Sequence, residues 1–382
     1  MIILRAAEVV MNFLPLRKQI IFTSFGGQYN DNPKYISIKM HEMRPDIKQI
    51  WIISSRCHEE ELIPEYIQKV KINSFKATLK KCTSKILVDN GAGWVLVKSD
   101  KKIYGMLKRK KQFNISTWHG SPIKRIGADS LDSGDWNDKN MYSSSDILIS
   151  GCEYVKTVFE SAFLKKIPIL LTGTPRNDIL FSESKDIKIN IRHKLHLDED
   201  TFYLLFAPTY RNNPEDSGIT QMNILNPVKL IQCFEKKFGG KWKIILRAHN
   251  VVLDKMNKIG LIDGNNIIDG NEFDDMAEYL VASDALISDF SGAIFDYALT
   301  NKPCFLFAHD REHYINAERG LYIELNKLPY CFAESEEDLL LSIMNYDEKE
   351  VERKRLEFLN YIGNVEQGDA SERITNLIIE RL

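Results

Sequence analysis

The stretch STWHGSPIK, residues 116–124, follows a short β-rich run and therefore leaves the carboxyl end of a predicted strand, Phe113–Thr117. Gly120 suits a turn, and Pro122 suits the first position of a helix, where its missing N–H costs little. A helix N-terminus offers N–H donors and a partial positive charge, so this strand end suits a phosphate. His119 can exchange a proton there, because an unperturbed histidine has a pKa of about 6.5. The alternative interpretation of His119 is a buried histidine that caps a turn.

The size and composition of the chain fit two soluble domains. It has 382 residues, of which 44% are hydrophobic and 27% are charged. The net charge of −2 gives no reason to expect a nucleic-acid partner. Six cysteines lie far apart without a C-x-x-C pair, which predicts reduced thiols in a cytoplasmic protein rather than disulfides or a zinc site.

Strand and helix patterns alternate through two successive halves of the chain, which predicts parallel sheets covered by helices. The first half is predicted as strand Gln19–Phe25, helix Lys34–Met43, strand Ile47–Ser54, helix Glu60–Gln68, strands Ile86–Val88, Phe113–Thr117 and Asp146–Ser150, and helix Tyr154–Phe163. The second half is predicted as strand Phe202–Phe206, helix Pro227–Lys237, strands Lys243–Arg247 and Ile267–Ile268, helix Phe273–Leu280, strand Ala285–Ser288, helix Ala293–Leu299 and strand Cys304–Phe307.

Turn residues cluster at 172–178, and we place the domain boundary there. The expected fold class is α/β, with two Rossmann-like domains, residues 19–175 and 176–345, facing each other across a central cleft. A C-terminal helical segment, residues 346–382, follows the second domain.

The N-terminal segment, residues 1–18, is apolar around most of a predicted helix, with Arg5, Glu8 and Asn12 as a narrow polar stripe. Two interpretations stay open: a helix lying on a membrane surface, and a helix packed on the protein's own core, which is slightly favoured. No apolar run reaches the roughly 18 residues that a membrane span needs. No cationic region or small-residue cleavage site precedes the segment, so we do not expect a signal peptide.

A basic segment lies between residues 98 and 111. Its cations include Lys101, Lys102, Lys108, Arg109, Lys110 and Lys111. A solvated face is the default interpretation, and a patch that docks on anionic lipid or a lipid-linked diphosphate is the functional one. The segment has too few aromatic residues for a base-stacking platform.

Polar residues follow three predicted strands of the second half. They form the motifs APTYR (207–211), RAH (247–249) and DFSG (289–292), the last opening a helix that carries Asp296. Ligands of open α/β sheets bind at the carboxyl ends of the strands. Together with residues 116–124, these three strand ends predict a polar cleft.

The residues of this cleft suit phosphoryl chemistry. Side chains and N–H groups suited to phosphate oxygens are those of Arg211, Arg247, Ser291 and Gly292. His119 and His249 would face each other across the cleft, where one polarises the transferring phosphoryl group and the other takes the acceptor's proton.

Two aspartates of the cleft have open assignments. Asp289 orients a histidine or caps the helix, and Asp296 accepts hydrogen bonds from sugar or polyol hydroxyls or compensates the helix dipole. The chain has no G-x-G-x-x-G, no G-x-x-x-x-G-K-[ST], no G-x-S-x-G and no H-E-x-x-H.

These motifs, together with GTPRND (173–178) and RGLY (319–322), occur in an order that resembles the CDP-glycerol glycerophosphotransferase family of teichoic acid synthesis. The resemblance covers roughly residues 20–345. It implies a GT-B fold whose C-terminal domain holds most of the nucleotide. It also implies transfer of glycerol phosphate from CDP-glycerol to an acceptor hydroxyl, with CMP leaving and no metal or other cofactor.

The resemblance also implies roles for single residues. His119 and His249 take the two essential histidine positions. Our own hypothesis for the mechanism makes His119 the general base, while His249, Arg247 and the helix start at Ser291 stabilise the charge on the phosphates. The positions implied to hold the donor are Thr117, Trp118, His119, Gly120, Ser121, Arg176, Pro208, Thr209, Arg247, Ser291, Gly292 and Asp296. The family usually has two serines where this chain has Ser291 and Gly292, so one hydroxyl contact is absent.

The acceptor implied by the resemblance is a saccharide linked to undecaprenyl diphosphate, which would place the protein peripherally on the cytoplasmic face of the cell membrane. The chain begins almost directly with the first α/β half, and this resembles the branch that primes the polymer. The alternatives are a glycerol phosphate or ribitol phosphate/capsule polymerase, a GT-B nucleotide-sugar glycosyltransferase or epimerase, and a non-catalytic membrane-bound scaffold. The oligomeric state is left open.

Overall fold

The structure is a computed structural model in which two parallel β-sheets are each covered by helices. It describes residues 2–91, 95–99, 102–105, 109–130, 144–163, 166–182, 184–209, 211, 224–248, 262–318 and 320–382. The strands are β1 Arg17–Thr23, β2 Lys48–Ile53, β3 Ile67–Lys71, β4 Ser84–Asp89, β5 Val95–Ser99, β6 Lys102–Gly105, β7 Phe113–Ser116, β8 Ile147–Ser150, β9 Ile169–Leu171, β10 Phe202–Ala207, β11 Trp242–Leu246, β12 Ile267–Asp269, β13 Ala285–Ser288, β14 Cys304–Phe307 and β15 Phe332–Ala333. The main helices are α1 Ile2–Met11, α2 Asp31–Met43, α3 Phe75–Thr83, α4 Glu153–Ala162, α5 Lys185–Lys194, α6 Pro227–Phe238, α7 Met276–Ala282, α8 Ala293–Tyr297, α9 Glu336–Met344, α10 Glu348–Tyr361 and α11 Ala370–Arg381.

In both sheets the first three strands run in one direction across the sheet and the later strands are added on the other side of the first strand. The first sheet runs β3-β2-β1-β4-β7-β8-β9 and the second sheet runs β12-β11-β10-β13-β14-β15, with every neighbouring pair parallel. The order reverses between β1 and β4 and again between β10 and β13. Ligands of such sheets bind in the crevice at this point. Two facing Rossmann-like domains confirm the predicted α/β class and the GT-B-like fold that the motifs imply.

The central strands are apolar on both faces because helices cover both sides of each sheet. Ile20, Ile21 and Phe22 of β1 are fully buried, and their registers place Ile21 beside Ile50 and Leu87. The last helix, α11, packs on α2, so the C-terminal segment returns to the core of the first domain.

Most predicted elements are confirmed within a few residues, but the predicted helix Glu60–Gln68 is wrong. Only Glu60–Leu62 forms a 3₁₀ turn, and β3 begins at Ile67. Pro64 explains the difference, because it removes a helical N–H and biases the preceding Ile63 toward its observed extended conformation. The sequence interpretation also missed α3 and β9.

The helix predicted after Pro122 is also wrong. The backbone of Lys124 forms an antiparallel bridge with Leu321 of the second domain, and only a 3₁₀ turn, Gly127–Asp129, follows. This segment finds its hydrogen-bond partners across the cleft rather than within a helix, so it offers no helix N-terminus to a phosphate.

Candidate active site

His119 lies three residues beyond the end of β7, and the residue is exposed. Its Nδ1 is 2.8 Å from the carbonyl oxygen of Asn90, which follows β4. The ring stacks on Trp118 with the centroids 4.2 Å apart, and Phe25 contacts it edge-on at 5.3 Å. Because a carbonyl oxygen only accepts hydrogen bonds, Nδ1 carries the proton and Nε2 of the neutral ring is an acceptor.

The surroundings favour this neutral form of His119. Desolvation by the neighbouring protein atoms lowers its pKa below the ordinary value; Arg176 and Lys124 act in the same direction, and the bond to Asn90 and the charge of Asp31 oppose them. A histidine that is neutral near pH 7, with one nitrogen held and the other able to accept, has the properties of a general base.

The backbone that carries His119 is unusual. Trp118 has a φ of +53°, in the left-handed region, and Gly120 has a φ of +132°. Such a conformation costs a non-glycine residue on the order of 1–3 kcal/mol. The Asn32 amide offsets it by donating to the carbonyl oxygens of Thr117 and Trp118 at 3.3 and 3.1 Å.

Arg176 joins the two domains beside this segment and is buried. Its Nη1 lies 2.8 Å from Asp31 of α2 and its Nη2 lies 2.6 Å from Asp296 of α8. The other oxygen of Asp296 accepts from Asn177 at 3.1 Å. A Cβ on Gly120 would lie 2.8 Å from Nη2 of Arg176, so the glycine admits the guanidinium. Arg176 and Asp296, both predicted to hold the donor, are therefore engaged with each other.

The loops after β10 and β13 meet where the strand order of the second sheet reverses. Asp289 accepts hydrogen bonds from the N–H groups of Thr209 and Phe290 at 2.8 and 2.7 Å, so it fixes the Pro208–Thr209 loop. The hydroxyl of Thr209 is buried and has no hydrogen-bond partner among the described residues. Ser291 Oγ accepts from Ala293 N–H at 3.2 Å, which leaves its own O–H free to donate.

Arg211, predicted to bind phosphate, is engaged by side chains of the protein itself. It is 0% exposed and pairs with Asp289 at 2.9 Å and Asp310 at 2.6 Å. Its guanidinium also lies over the Tyr314 ring, 4.4 Å from the centroid. These contacts give Arg211 the role of holding the loop after β10.

Arg247 is likewise occupied by the protein itself. Its guanidinium donates to the carbonyl oxygens of Phe273 and Asp274 at 2.9 and 2.8 Å, and also to that of Gly270. His249 lies outside the described residues, as do Tyr210 and Arg319 of the quoted motifs. Its predicted place across the cleft from His119 stays a prediction.

Ser121 and Gly292 bring the two domains into direct contact. A Cβ on Gly292 would lie 2.6 Å from the carbonyl oxygen of Ser121. The position where the family usually has a serine therefore lies against the backbone of the opposite domain in this chain.

Sequence reasoning missed several residues that build the site. Asn90 orients His119, and its side chain accepts from Phe25 N–H at 3.0 Å and donates to Ser24 at 2.9 Å. Asn32 holds the strained backbone, and Asp31 pairs with Arg176. Ser24 directly follows β1 and Asn90 directly follows β4. The pattern that indicated the site residues of the second domain, a polar residue directly after a strand, therefore also applies to these two residues of the first domain.

The predicted lipid-facing regions differ in how far the structure describes them. Lys101 and Lys108 lie outside the described residues, and Lys102 begins β6. Arg109 donates to the Cys82 carbonyl oxygen at 2.9 Å, and Lys110 and Lys111 are exposed. The basic segment therefore stays a predicted lipid patch.

The predicted N-terminal helix forms as α1 and packs on α3. Glu8, a member of the predicted polar stripe, is only 1% exposed. The face turned to solvent is apolar and comprises Val9, Val10, Phe13 and Leu14 at the end of α1 and just beyond it.

No group of three or more histidine, cysteine, aspartate or glutamate side chains in the described ranges is arranged to hold a metal ion. Of the helices described, none combines the length and the apolar character that crossing a membrane requires.

Comparisons with known proteins agree with this arrangement. The model of a family described as CDP-glycerol:poly(glycerophosphate) glycerophosphotransferase matches residues 7–380. The teichoic acid poly(glycerol phosphate) polymerase of Staphylococcus epidermidis is 30% identical over 378 residues, covering 94% of this chain and 50% of that protein. The teichoic acid glycerol-phosphate transferase of Staphylococcus aureus is 27% identical, covering 97% of this chain and 95% of that protein.

A solved structure extends the likeness to the whole fold. The wall teichoic acid polymerase TagF, in a variant soaked with CDPG, superposes with a TM-score of 0.82 at 28% identity, covering 99% of this chain and 94% of that one. The chain thus spans half the length of the Staphylococcus epidermidis polymerase and nearly the whole of the Staphylococcus aureus transferase.

Proposed function

Because the chain belongs to the CDP-glycerol:poly(glycerophosphate) glycerophosphotransferase family, we propose that it transfers glycerol phosphate from CDP-glycerol to a saccharide hydroxyl group and releases CMP. The activity named for the Staphylococcus aureus relative supports this reaction and teichoic acid synthesis as its setting. The observation that carries the proposal is the position of His119 beyond β7, where it is exposed, is held at Nδ1 by Asn90 and has a lowered pKa that favours its neutral form.

In the proposed step the acceptor oxygen attacks the β-phosphorus of CDP-glycerol. The bond between that phosphorus and the oxygen of the CMP group breaks, and CMP leaves with the electron pair. The acceptor's proton goes to Nε2 of His119. Holding the two reactants in line supplies much of the acceleration in such phosphoryl transfers.

The donor's phosphates are assigned to the loops of the second domain. Thr209 and Ser291 each present a hydroxyl that can donate a hydrogen bond there. The Thr209 hydroxyl is buried and has no partner among the residues that the structure describes. His249, by resemblance, completes this set. Arg247 and Arg211 are left out of it, because their guanidinium groups bind carbonyl oxygens and carboxylates of the protein.

The acceptor is proposed to be a saccharide on undecaprenyl diphosphate, reached at the cytoplasmic face of the membrane. The apolar outer face of α1 supports such peripheral attachment, since its tip is 69% exposed at Val10 and 86% exposed at Phe13. Desolvation and three nearby cations, Arg17, Lys48 and Lys76, lower the pKa of Lys80, which shows that basic side chains gather in the same domain. Anionic lipid would be attracted to such a cluster.

Priming is the form of the reaction that we put first, with addition of many glycerol phosphate units as the second. The polymerase named for the Staphylococcus epidermidis relative supports the second form. The number of units added to each acceptor separates the two.

The test measures CMP release from CDP-glycerol, CDP-ribitol and a UDP-sugar, each with and without a lipid-linked disaccharide. Release from CDP-glycerol that requires the acceptor and stops after one unit establishes priming, and continued release establishes a polymerase. Turnover of the UDP-sugar alone would overturn the proposed function and leave the fold unchanged.

A further inference from the structure

The chain segment that follows His119 crosses from the first domain to the second. We call residues 121–129 the strap. Residues 123–125 pair in antiparallel fashion with residues 320–322 of the second domain, through two backbone hydrogen bonds of 2.8 and 2.9 Å. The strap begins two residues after His119, so the place where it docks restricts where His119 can lie.

One side chain of the second domain fastens the far end of the strap. The hydroxyl of Tyr322 donates to Asp129 Oδ2 at 2.8 Å and accepts from the Ile126 N–H at 3.2 Å. The same carboxylate oxygen accepts from Ser161 of α4 at 2.7 Å. Tyr322 therefore connects the second domain to the strap and, through Asp129, to a helix of the first domain.

The near end of the strap contacts both domains as well. Its first carbonyl oxygen, that of Ser121, lies where a Cβ on Gly292 would approach to 2.6 Å, beside the loop after β13. The next carbonyl oxygen, that of Pro122, accepts from Tyr154 of α4 at 2.7 Å. The strap is thus held at both ends, and its contacts with the second domain reach the loops assigned to the donor.

We propose that Tyr322 is a positioning residue for the transfer: by holding the strap it sets His119 against the donor loops of the opposite domain. This inference rests on the proposed function, since it concerns how the base and the donor are brought together. Tyr322 binds the strap rather than the donor, so its loss lowers the rate of the step and leaves donor binding nearly intact.

The experiment compares Tyr322→Phe with Tyr203→Phe in the full chain. The second variant is a matched control, because the Tyr203 hydroxyl also accepts one backbone hydrogen bond within the second domain, from Asp198 N–H at 2.7 Å, away from the strap. Steady-state CMP release from CDP-glycerol with the lipid-linked acceptor gives kcat and KM. Thermal unfolding and circular dichroism establish that each variant is folded.

We expect Tyr322→Phe to lower kcat about five- to thirtyfold, because this factor corresponds to the loss of one or two hydrogen bonds. The KM for the donor should stay within twofold of that of the unmodified protein. Tyr203→Phe should stay within twofold in both constants. The positioning role would be overturned if the two variants had equal kinetics. It would also be overturned if Tyr322→Phe raised the KM for the donor instead of lowering kcat.

A second variant covers the case in which Tyr322→Phe does not fold. Asp129→Asn weakens the same contact from the strap's side and should by itself lower kcat in the same way, whereas an unchanged kcat would contradict the proposal. Where both single variants fold, the double variant should lose less than the product of the two single losses. Independent, multiplicative losses would contradict the proposal. Absence of CMP release from CDP-glycerol in the unmodified protein would instead overturn the proposed function, so the two failures are distinguishable.

Discussion

The two domains treat the polar residues at their strand ends differently. In the first domain His119 is exposed, is held through one nitrogen by Asn90 and keeps the other as an acceptor. In the second domain the arginine that follows β10 binds the protein itself: Arg211 is fully buried and pairs with Asp289 and Asp310. The comparison teaches that a polar or charged residue at a strand end either does chemistry or builds the loop, and that burial decides between the two.

Replacing His119 by Ala tests the first half of the comparison, the catalytic role of a strand-end residue in the first domain. Loss of a general base costs about 10²- to 10⁴-fold in rate, so we expect kcat for CMP release to fall by that factor while CDP-glycerol binding changes only a few-fold. Steady-state kinetics and equilibrium binding of CDP-glycerol measure the two effects. Full turnover by the variant would remove His119 from the mechanism.

Replacing Arg211 by Ala tests the second half of the comparison. The change leaves the Asp289 and Asp310 carboxylates without their buried partner, which costs about 3–5 kcal/mol of stability. Urea unfolding measures this loss. Arg353→Ala, which removes an exposed pair with Glu357, is the matched control and should cost under about 1 kcal/mol.

A contrary outcome for Arg211 is easily recognised. If the Arg211→Ala variant kept its stability but bound CDP-glycerol poorly, the arginine would be a phosphate ligand, and the second domain would resemble the first in leaving its charges available.

The exposed tip of α1 extends the comparison to the acceptor, which is proposed to be reached at the membrane. Phe13→Ser removes a ring that is 86% exposed, and we expect about tenfold weaker binding to vesicles of anionic phospholipid. Vesicle flotation measures binding. Leu356→Ser removes an exposed apolar side chain of α10, in the C-terminal segment, and should leave binding unchanged; equal losses would refute a specific role for α1.

The smallest expected effect concerns the hydroxyl of Thr209. Because it has no described partner, Thr209→Val should leave the free energy of unfolding unchanged or raise it, while the KM for CDP-glycerol rises about three- to tenfold. Ser288→Ala is the control, since that hydroxyl already donates to Ala207 at 2.7 Å and its loss should lower stability without changing KM. The reverse pattern would show that the Thr209 hydroxyl is structural.

The sequence predicts the parts of this molecule that depend on local pattern. Apolar runs without alternation mark the buried parallel strands, and a polar residue after such a run places His119 at a strand end. The direction in which a side chain or segment points, and the partner that it binds, depend on residues far away in the sequence. Arg211 turns to Asp310, 99 positions away, and the segment after Pro122 turns to Tyr322, so neither the buried arginine nor the strap is visible in the motifs.

The same reasoning explains the site residues that were missed. Asn90 accepts from His119 through its backbone carbonyl oxygen, and Asn32 donates to Trp118 through its side-chain amide. Both contacts reach a segment far along the chain, and an asparagine by itself does not indicate chemistry. Residue type identifies candidates, and burial with named partners assigns their roles.

The most direct test of the account is the pH dependence of kcat/KM for CMP release from CDP-glycerol in the presence of the lipid-linked acceptor. Desolvation lowers the pKa of His119, so the neutral base persists to a lower pH than an ordinary histidine would. We therefore expect activity to fall on the acid side with an apparent pKa below about 6.5. An acid limb above that value, or one unchanged by His119→Ala, would contradict a neutral His119 as the base.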